Sequence, residues 1–324
     1  MIKEHSLSKL TVSVIIPTWN AGQELKDLIQ SLWAQTLVPA QIIVVDSSST
    51  DGTAELAKSL GATVFSIEQE EFDHGGTRNY AAEQAVGDIL MFMTQDAIPA
   101  GEKLIENLIN PLTDPNVCCS YARQIAKPNA NLLEQLSREY NYPSISLKKS
   151  AKDIASLGIK AFFCSNVCSA MRKETFRELG QFPAPVIFNE DMFFAAKGIL
   201  AGYSVFYAAE AVVLHSHNYS LMQQFKRFFD NGVSMRMNEG FMPYSSVGKT
   251  GTNLLKIQLR GIVEKRAWRW FAVLFLDLTM KFFGLQFGKR YYMLPIYIRK
   301  RFSMHQKIWV KIIRDSGAFT NAMK

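Results

Sequence analysis

The chain has 324 residues, 48% of them hydrophobic and 20% charged, enough for one large or two ordinary domains with a sizeable core. That composition excludes a peptide module, a coiled coil and a disordered tail, and four cysteines at this length exclude a disulfide-framed secreted scaffold. The net charge of +7 is unevenly spread: residues 256–324 hold 15 Lys and Arg against 3 Asp and Glu, so a mildly acidic body carries a basic C-terminal region. A nucleic-acid reading drawn from overall charge alone would mislead. The opening MIKEHSLSKL has no apolar run, and no signal peptide is expected.

The first hundred residues alternate between strand and helix patterns. Val12–Ile16 is a β-branched run ending at Pro17, and Leu25, Leu28, Ile29 and Leu32 recur at helical spacing over 23–35. Ile42–Val45 is a second strand, closed by Asp46 and the turn-rich SSSTDGT of 47–53. Ala62–Ile67 reads as a third strand, 77–86 as a helix after a Gly-Gly loop, and Ile89–Met93 as a fourth strand ending at Thr94-Gln95-Asp96. Short buried strands separated by helices imply an α/β fold, with a mainly parallel sheet covered by helices on both faces. Ligands bind such sheets outside the carboxyl ends of the strands. The polar residues Pro17-Thr18-Trp19-Asn20, Asp46 and Gln95-Asp96 fall there.

Further along, 117–125 and 161–171 read as strands, and 129–140 and 191–201 as helices. A strand over 203–214 runs into His215-Ser216-His217. From about 219 the chain is helical and increasingly basic. The apolar run Trp268–Phe287 is close to spanning length, but Asp277 and Lys281 interrupt it. Its flanks carry Lys265, Arg266, Trp268, Arg269 and Trp270, then Lys289, Arg290, Tyr291 and Tyr292. Such flanks suit a segment lying on a membrane surface beside anionic lipids; a basic hairpin packed on its own domain is the alternative. The expected division is a catalytic domain over 1–240 and a basic aromatic helical region over 241–324.

The ordered motifs resemble the inverting GT-A glycosyltransferases of family 2. The strand-Pro-Thr-x-Asn opening is followed by VVDSSSTDGT (44–53), FDHGGTRNYA (72–81), FMTQDAIP (92–99) and FNEDMFFAAKGILAGY (188–203). The Asp-His-Gly-Gly-Thr-Arg-Asn and Thr-Gln-Asp-Ala-x-Pro segments look like the rhamnosyltransferase branch. The resemblance covers about residues 10–240. It implies a Rossmann-like GT-A fold and transfer of a sugar from a nucleotide diphosphate donor, with dTDP-L-rhamnose the donor that the branch suggests and a UDP-sugar the alternative. The implied acceptor is a hydroxyl of a glycan or lipid-linked glycan in bacterial surface polysaccharide synthesis, at the inner face of the cell membrane. No nucleic-acid partner is expected.

Roles follow by resemblance. Pro17, Thr18, Asn20, Asp46, Asp51, Arg78, Asn79, Gln95 and Asp96 are expected at the donor, with Asp46 and Asp51 near the base and ribose. Asp96 is the hard oxygen ligand for Mg²⁺ or Mn²⁺, with His215 completing the site and His217 an open alternative. Thr94 stands where the family commonly has a first Asp. Arg78 is expected to pair with phosphate or support Asp96, since a cation at a helix start wants an anionic partner. Inverting transfer needs one carboxylate to deprotonate the acceptor; Asp191 is that base, with Glu190 the second choice. Ser165, Asn166 and Arg172 are expected to line the same cleft. Cys118, Cys119, Cys164 and Cys168 lack zinc-site spacing and read as buried packing.

Two decoys fall away. Gly248-Lys249-Thr250 lacks the P-loop glycine, with Pro243 in its place, and Gly75-Gly76 belongs to no dinucleotide fingerprint. A sugar nucleotidyltransferase would need a Gly-rich basic loop after the first strand, where this chain has Pro17-Thr18-Trp19-Asn20. A basic-tailed lipid- or nucleic-acid-binding non-enzyme is the remaining rival, and the apolar, aromatic content of the tail favours lipid over nucleic acid.

Overall fold

A computed structural model describes residues 10–240 and 248–322, with side chains at 10–240 and 251–315. Residue 243 and the expected boundary at 240/241 fall at or beside residues outside this set, as do the side chains of Gly248-Lys249-Thr250. Strands β1 (Val12–Thr18), β2 (Gln41–Asp46), β3 (Thr63–Ser66), β4 (Ile89–Met93), β5 (Ile98–Pro99), β6 (Val117–Ile125), β7 (Leu147–Lys149), β8 (Cys168–Arg172) and β9 (Ser204–Leu214) form one mixed sheet. Its order is β3-β2-β1-β4-β8-β6-β9-β5, with β7 beside β9. The helices are α1 (Gly22–Trp33), α2 (Thr53–Ser59), α3 (His74–Gln84), α4 (Leu104–Ile109), α5 (Leu132–Asn141), α6 (Ile154–Leu157) and α7 (Lys173–Glu178), followed by α8 (Glu190–Leu200). The C-terminal helices are α9 (Leu221–Met237), α10 (Gly248–Glu264), α11 (Arg269–Lys289), α12 (Ile296–Phe302) and α13 (Ile308–Ala322).

Period-2 alternation divides the core between the two faces of the sheet. Val12, Val14 and Ile16 pack with Leu25, Leu28, Ile29 and Leu32 of α1. Ile15, Ile43, Val45, Leu90 and Phe92 turn the other way, onto a cluster that includes Ala81, Ala82, Phe194 and Ile199. The strand directions decide where function can sit. β1, β2, β3 and β4 are mutually parallel, and β8 runs antiparallel to both β4 and β6. β6 is parallel to β9. The carboxyl ends of β1, β2, β4, β6 and β9 therefore share one edge with the start of β8.

Two local expectations differ. Gly75 and Gly76 lie in the first turn of α3, not in a loop before it, because the Asp73 carboxylate caps the helix and accepts from both their N–H groups (3.1 and 2.7 Å). The strand expected over 161–171 begins only at Cys168; Gly158–Phe162 is a 3₁₀ turn, and Cys168 N–H closes a further turn onto the Ser165 carbonyl (3.2 Å). All four cysteines are free and buried.

The C-terminal region is fused to the body. Ile187, Phe229 and Val233 share a core with Ile308, Trp309 and Ile312, so packing crosses the expected division of the chain. Lys307 pairs with Glu70, Arg314 with Glu71 and Lys311 with buried Asp73. Much of the positive charge on α13 is thus neutralised internally. α11 crosses α9 at backbone contact: a Cβ on Gly284 would meet the Phe225 carbonyl, and one on Gly288 the Phe229 carbonyl. α11 is long and apolar enough to cross a membrane by length and composition, with mean hydropathy 1.4 and 22% of its most apolar stretch buried. It carries buried Asp277 closed by Lys281 at 2.6 Å.

Because no side chain fits at this crossing, Gly288→Ala is expected to cost about 1–3 kcal/mol, a typical overpacking penalty. Gly101→Ala, which meets open space, should leave the melting temperature unchanged in the same thermal unfolding series.

Candidate active site

Three side chains from two strand ends converge at the carboxyl edge. Asp96 follows β4, and His215 and His217 follow β9; their ligand atoms all lie within 4.8 Å of one another. Asp96 Oδ2 stands 3.5 Å from His215 Nε2 and 3.2 Å from His217 Nε2. Burial works against the charge on Asp96, but the adjacent imidazoles outweigh it and hold the carboxyl well below the usual range. Desolvation, with a contribution from His215, pushes His217 down to about 4, so its ring is neutral at pH 7. His215 Nδ1 lies 3.1 Å from Gln124 Oε1. One carboxylate oxygen and two imidazole nitrogens thus converge on one space, a donor set that a divalent cation satisfies when the nitrogens are unprotonated.

Gln124 ends β6 and is the hub on this side. Its amide donates to Tyr142 Oη (2.7 Å) and Ser165 Oγ (2.9 Å), and its carbonyl also accepts from Arg138. Arg138 in turn pairs with Glu134 at 2.7 Å. Nothing in the local sequence marks Gln124 as functional: it lies in a hydrophobic strand pattern, and its importance appears only when β6 and β9 pair.

Beside Ser165, the backbone N–H of Asn166 donates to Asp191 Oδ2 (2.8 Å), and its side-chain amide donates to Glu190 Oε1 (2.9 Å). The same Glu190 oxygen lies 3.3 Å from Arg78 Nη1, both side chains being buried. Asp191 is only partly covered, yet desolvation by the surrounding protein and the charge of Glu190 push its carboxyl up to about 7. The two carboxylates thus have different environments. Glu190 is paired with a cation, and Asp191, with no cation in contact, is made the more basic of the two.

Arg78 also donates to the His74 carbonyl (2.9 Å). The His74 ring faces His305 from the C-terminal region, with Nε2 atoms 3.2 Å apart. One ring must donate and the other accept, and burial pushes both down to about 3. The wall behind Arg78 and Glu190 is therefore built partly from beyond residue 300.

The remaining expected residues are placed as follows. Pro17 and Thr18 end β1 opposite Val45 and Asp46. Asp46 is buried and accepts from Thr18 Oγ1 (3.2 Å), Ser49 Oγ (2.6 Å) and Ser49 N–H (2.9 Å). Asp51 accepts from Thr53 N–H (3.1 Å) and Gly22 N–H (3.2 Å), and its hydrogen bond to the Thr53 hydroxyl lowers its pKa; it ties the loop before α2 to the start of α1. Asn20, at φ +45°, ties its loop to Thr50 and Ser49. Gln95 brackets the backbone of Trp19, which leaves the Trp19 ring half exposed. These residues shape the strand-end loops.

Three expectations change. Arg78 does not support Asp96; it is buried against Glu190. Asn79 is occupied by the backbone of Phe182, to which its amide donates (2.9 Å) and from which its carbonyl accepts (3.1 Å). Arg172 is not in the cleft. β8 enters at the functional edge and leaves at the other, so Arg172 pairs with Ile89 at the start of β4 and its guanidinium binds the carbonyls of Leu112, Asp114, Pro115 and Val117.

Comparison with known proteins places this geometry. Residues 13–180 match the family described as glycosyl transferase family 2. The chain is 39% identical to the O-antigen chain rhamnosyltransferase RfbN of Salmonella typhimurium, over 95% of this chain and 99% of that one. It is 38% identical to the O-antigen chain rhamnosyltransferase WbaN of Salmonella anatum, over 94% and 98%. Among solved structures, the mannosyltransferase PcManGT of Pyrobaculum calidifontis, in complex with GDP-Man and Mn²⁺, superposes with a TM-score of 0.58 at 18% identity, covering 85% of this chain and 84% of that one.

The buried Arg78–Glu190 pair gives a stability test. Arg78→Ala strands a buried carboxylate and is expected to cost about 3–5 kcal/mol. Adding Glu190→Gln should restore part of that loss in denaturant unfolding, because the uncompensated charge is gone.

Proposed function

The chain belongs to glycosyltransferase family 2, and from that premise we propose that it transfers L-rhamnose from dTDP-L-rhamnose, with inversion, to a hydroxyl of a glycan or lipid-linked glycan in bacterial surface polysaccharide synthesis. The rhamnosyltransferases of Salmonella match nearly end to end, which supports the sugar. One observation carries the mechanism. Hydrogen bonds from His215 to Gln124 and from Gln124 to Ser165, continued by the Ser165–Asn166 peptide bond and the Asn166 N–H to Asp191, hold the three metal-ligating groups and the basic carboxylate in one framework.

In this reading Asp191 is the base. The acceptor oxygen bonds to C1 of the sugar as its proton passes to Asp191. The C1–O bond to the β-phosphate breaks, and its electron pair stays on that phosphate oxygen. Desolvation keeps Asp191 a strong enough base to take a hydroxyl proton at neutral pH. Glu190, tied to Arg78 and Asn166, holds the start of α8 and, by its charge, raises Asp191. Asp96, His215 and His217 would hold a divalent cation that offsets charge on the departing diphosphate. The two nitrogen ligands favour Mn²⁺ over Mg²⁺, which prefers all-oxygen sites. The loops at Thr18–Asn20 and Asp46–Asp51 would receive the nucleoside.

Membrane association is proposed for the C-terminal helices, at the cytoplasmic face where lipid-linked acceptors are available. Phe271, Phe275, Leu278 and Phe282 form a stripe on α11 at helical spacing, 37%, 70%, 39% and 57% exposed, and Trp268 stacks on Phe271. Aromatic stripes of this kind suit the bilayer interface. The cations of α13 are paired with the body, so Lys265, Arg266, Arg269, Lys289 and Arg290 are the basic groups flanking the stripe.

Two experiments test these readings. Calorimetry with Mn²⁺ should show dTDP-L-rhamnose binding that is lost in Asp96→Ala; turnover should rise with pH through about 7, as Asp191 deprotonates, and fall on the order of a hundredfold or more in Asp191→Asn. Binding of no nucleotide sugar would overturn the transfer reading. Flotation with anionic liposomes should carry the wild-type chain, and the double variant Phe275→Ser/Phe282→Ser should remain in the soluble fraction. Flotation of both to the same extent would remove α11 from the membrane reading.

A further inference from the structure

Neutralising a departing diphosphate calls for a side-chain cation as well as a metal, and the Arg78 expected for it is buried in an ion pair. The other cations near the metal-ligating site are also taken. Arg138 pairs with Glu134 and Gln124, Lys127 with Glu24, and Arg123 donates to the Tyr142 carbonyl at 3.3 Å. Arg227, on α9, differs. Among the described residues no carboxylate pairs with it. Its guanidinium lies between two aromatic rings, 5.6 Å from the centroid of Tyr219 and 5.4 Å from that of Phe188.

Those two rings belong to opposite sides of the site. Tyr219 is stacked on His217, with centroids 4.8 Å apart and 26° between planes, and His217 is within 3.2 Å of Asp96. Phe188 lies two residues before Glu190 and contacts the His74 ring edge-on at 6.1 Å. Arg227 therefore bridges the loop carrying the metal-ligating histidines and the loop carrying the base. It is half-buried and held by cation–π contact with both rings, and among the described residues no hydrogen bond occupies its N–H groups. A guanidinium so held presents a planar fork of donors suited to phosphate oxygens.

We propose that Arg227 binds the β-phosphate of the nucleoside diphosphate and stabilises the negative charge that collects there as the sugar leaves. This rests on the glycosyl-transfer reading of the same site and adds the residue that supplies the positive side chain. The role also explains why α9, outside the residues matched to the family profile, is anchored so firmly: Asn231 of α9 accepts from Asn189 beside the base (3.0 Å), and Asp230 accepts from Met304 N–H (2.8 Å).

The test is calorimetry of the full chain with Mn²⁺, using dTDP, UDP and dTMP as probes. Arg227→Gln is expected to weaken the preferred nucleoside diphosphate roughly ten- to hundredfold, the range of a charge-assisted hydrogen bond. It should weaken dTMP, which lacks the β-phosphate, less than about threefold. Arg227→Lys, which keeps the charge without the stacked plane, should fall in between. Equal diphosphate binding by wild type and Arg227→Gln overturns the assignment and leaves the transferase reading intact; failure of the wild-type chain to bind any diphosphate overturns the transferase reading itself. Should Arg227→Gln not fold, phenylglyoxal labelling of the wild-type chain decides. Diphosphate with Mn²⁺ should protect Arg227, and an unchanged rate of labelling at this residue would count against the role.

Discussion

The site depends on how Ser165 and Asn166 are held. These two residues precede β8, the strand that reverses direction inside the sheet. Ser165 accepts from Gln124, which binds His215, and Asn166 donates from backbone and side chain to Asp191 and Glu190. Both residues are buried, where an unmade hydrogen bond is costly. Each bond therefore constrains the others, and His215 is tied through Gln124 and the Ser165–Asn166 segment to Asp191.

Burial sets the chemistry of the two neighbouring carboxylates. Glu190 and Asp191 are adjacent in sequence, but helical geometry separates them by about 100° around α8. Glu190 turns inward to Arg78, and Asp191 turns toward the cleft with only N–H donors beside it. Two carboxylates this close do not share an environment equally, and the one without a cation partner is driven toward the neutral form. Desolvation, reinforced by the charge of Glu190 and opposed by that of Arg78, is thus what brings the Asp191 carboxyl up to about 7. Behind the Arg78–Glu190 pair, the neutral His74–His305 contact brings the C-terminal region into the wall of the site.

The C-terminal region has two faces with different physics. Toward the body, α11 meets α9 through glycines, α13 and the Lys307 just before it close on the acidic 70–73 segment through three ion pairs, and Trp309 is fully buried. Away from the body, aromatic and aliphatic side chains of α11 stand exposed. The glycine crossing lets the helices approach closely enough for dispersion contacts to hold them, which frees the apolar stripe for another surface. The same basic composition therefore serves internal pairing on α13 and surface charge around α11, a division that no count of Lys and Arg contains.

The strand–helix order, the carboxyl-edge location of the polar residues and the family were legible in the sequence, because short apolar runs, caps and motif order are local properties. Asp96, His215, Glu190 and Asp191 were legible for the same reason, each standing at a strand end or helix start in a recognisable segment. Gln124, Asn166 as the link to both carboxylates and His305 were not, since their partners lie dozens to hundreds of residues away in the chain, and the placement of Arg227 depends on Phe188 from a distant loop. Arg172 shows the converse: its residue type suggested the cleft, but the antiparallel course of β8 carries it to the opposite edge. Sequence alone determined which residues reach the ends of the strands, because periodicity and turn chemistry are encoded locally. Only tertiary structure decided which of them meet, because strand direction and the burial of each charge are properties of the assembled sheet.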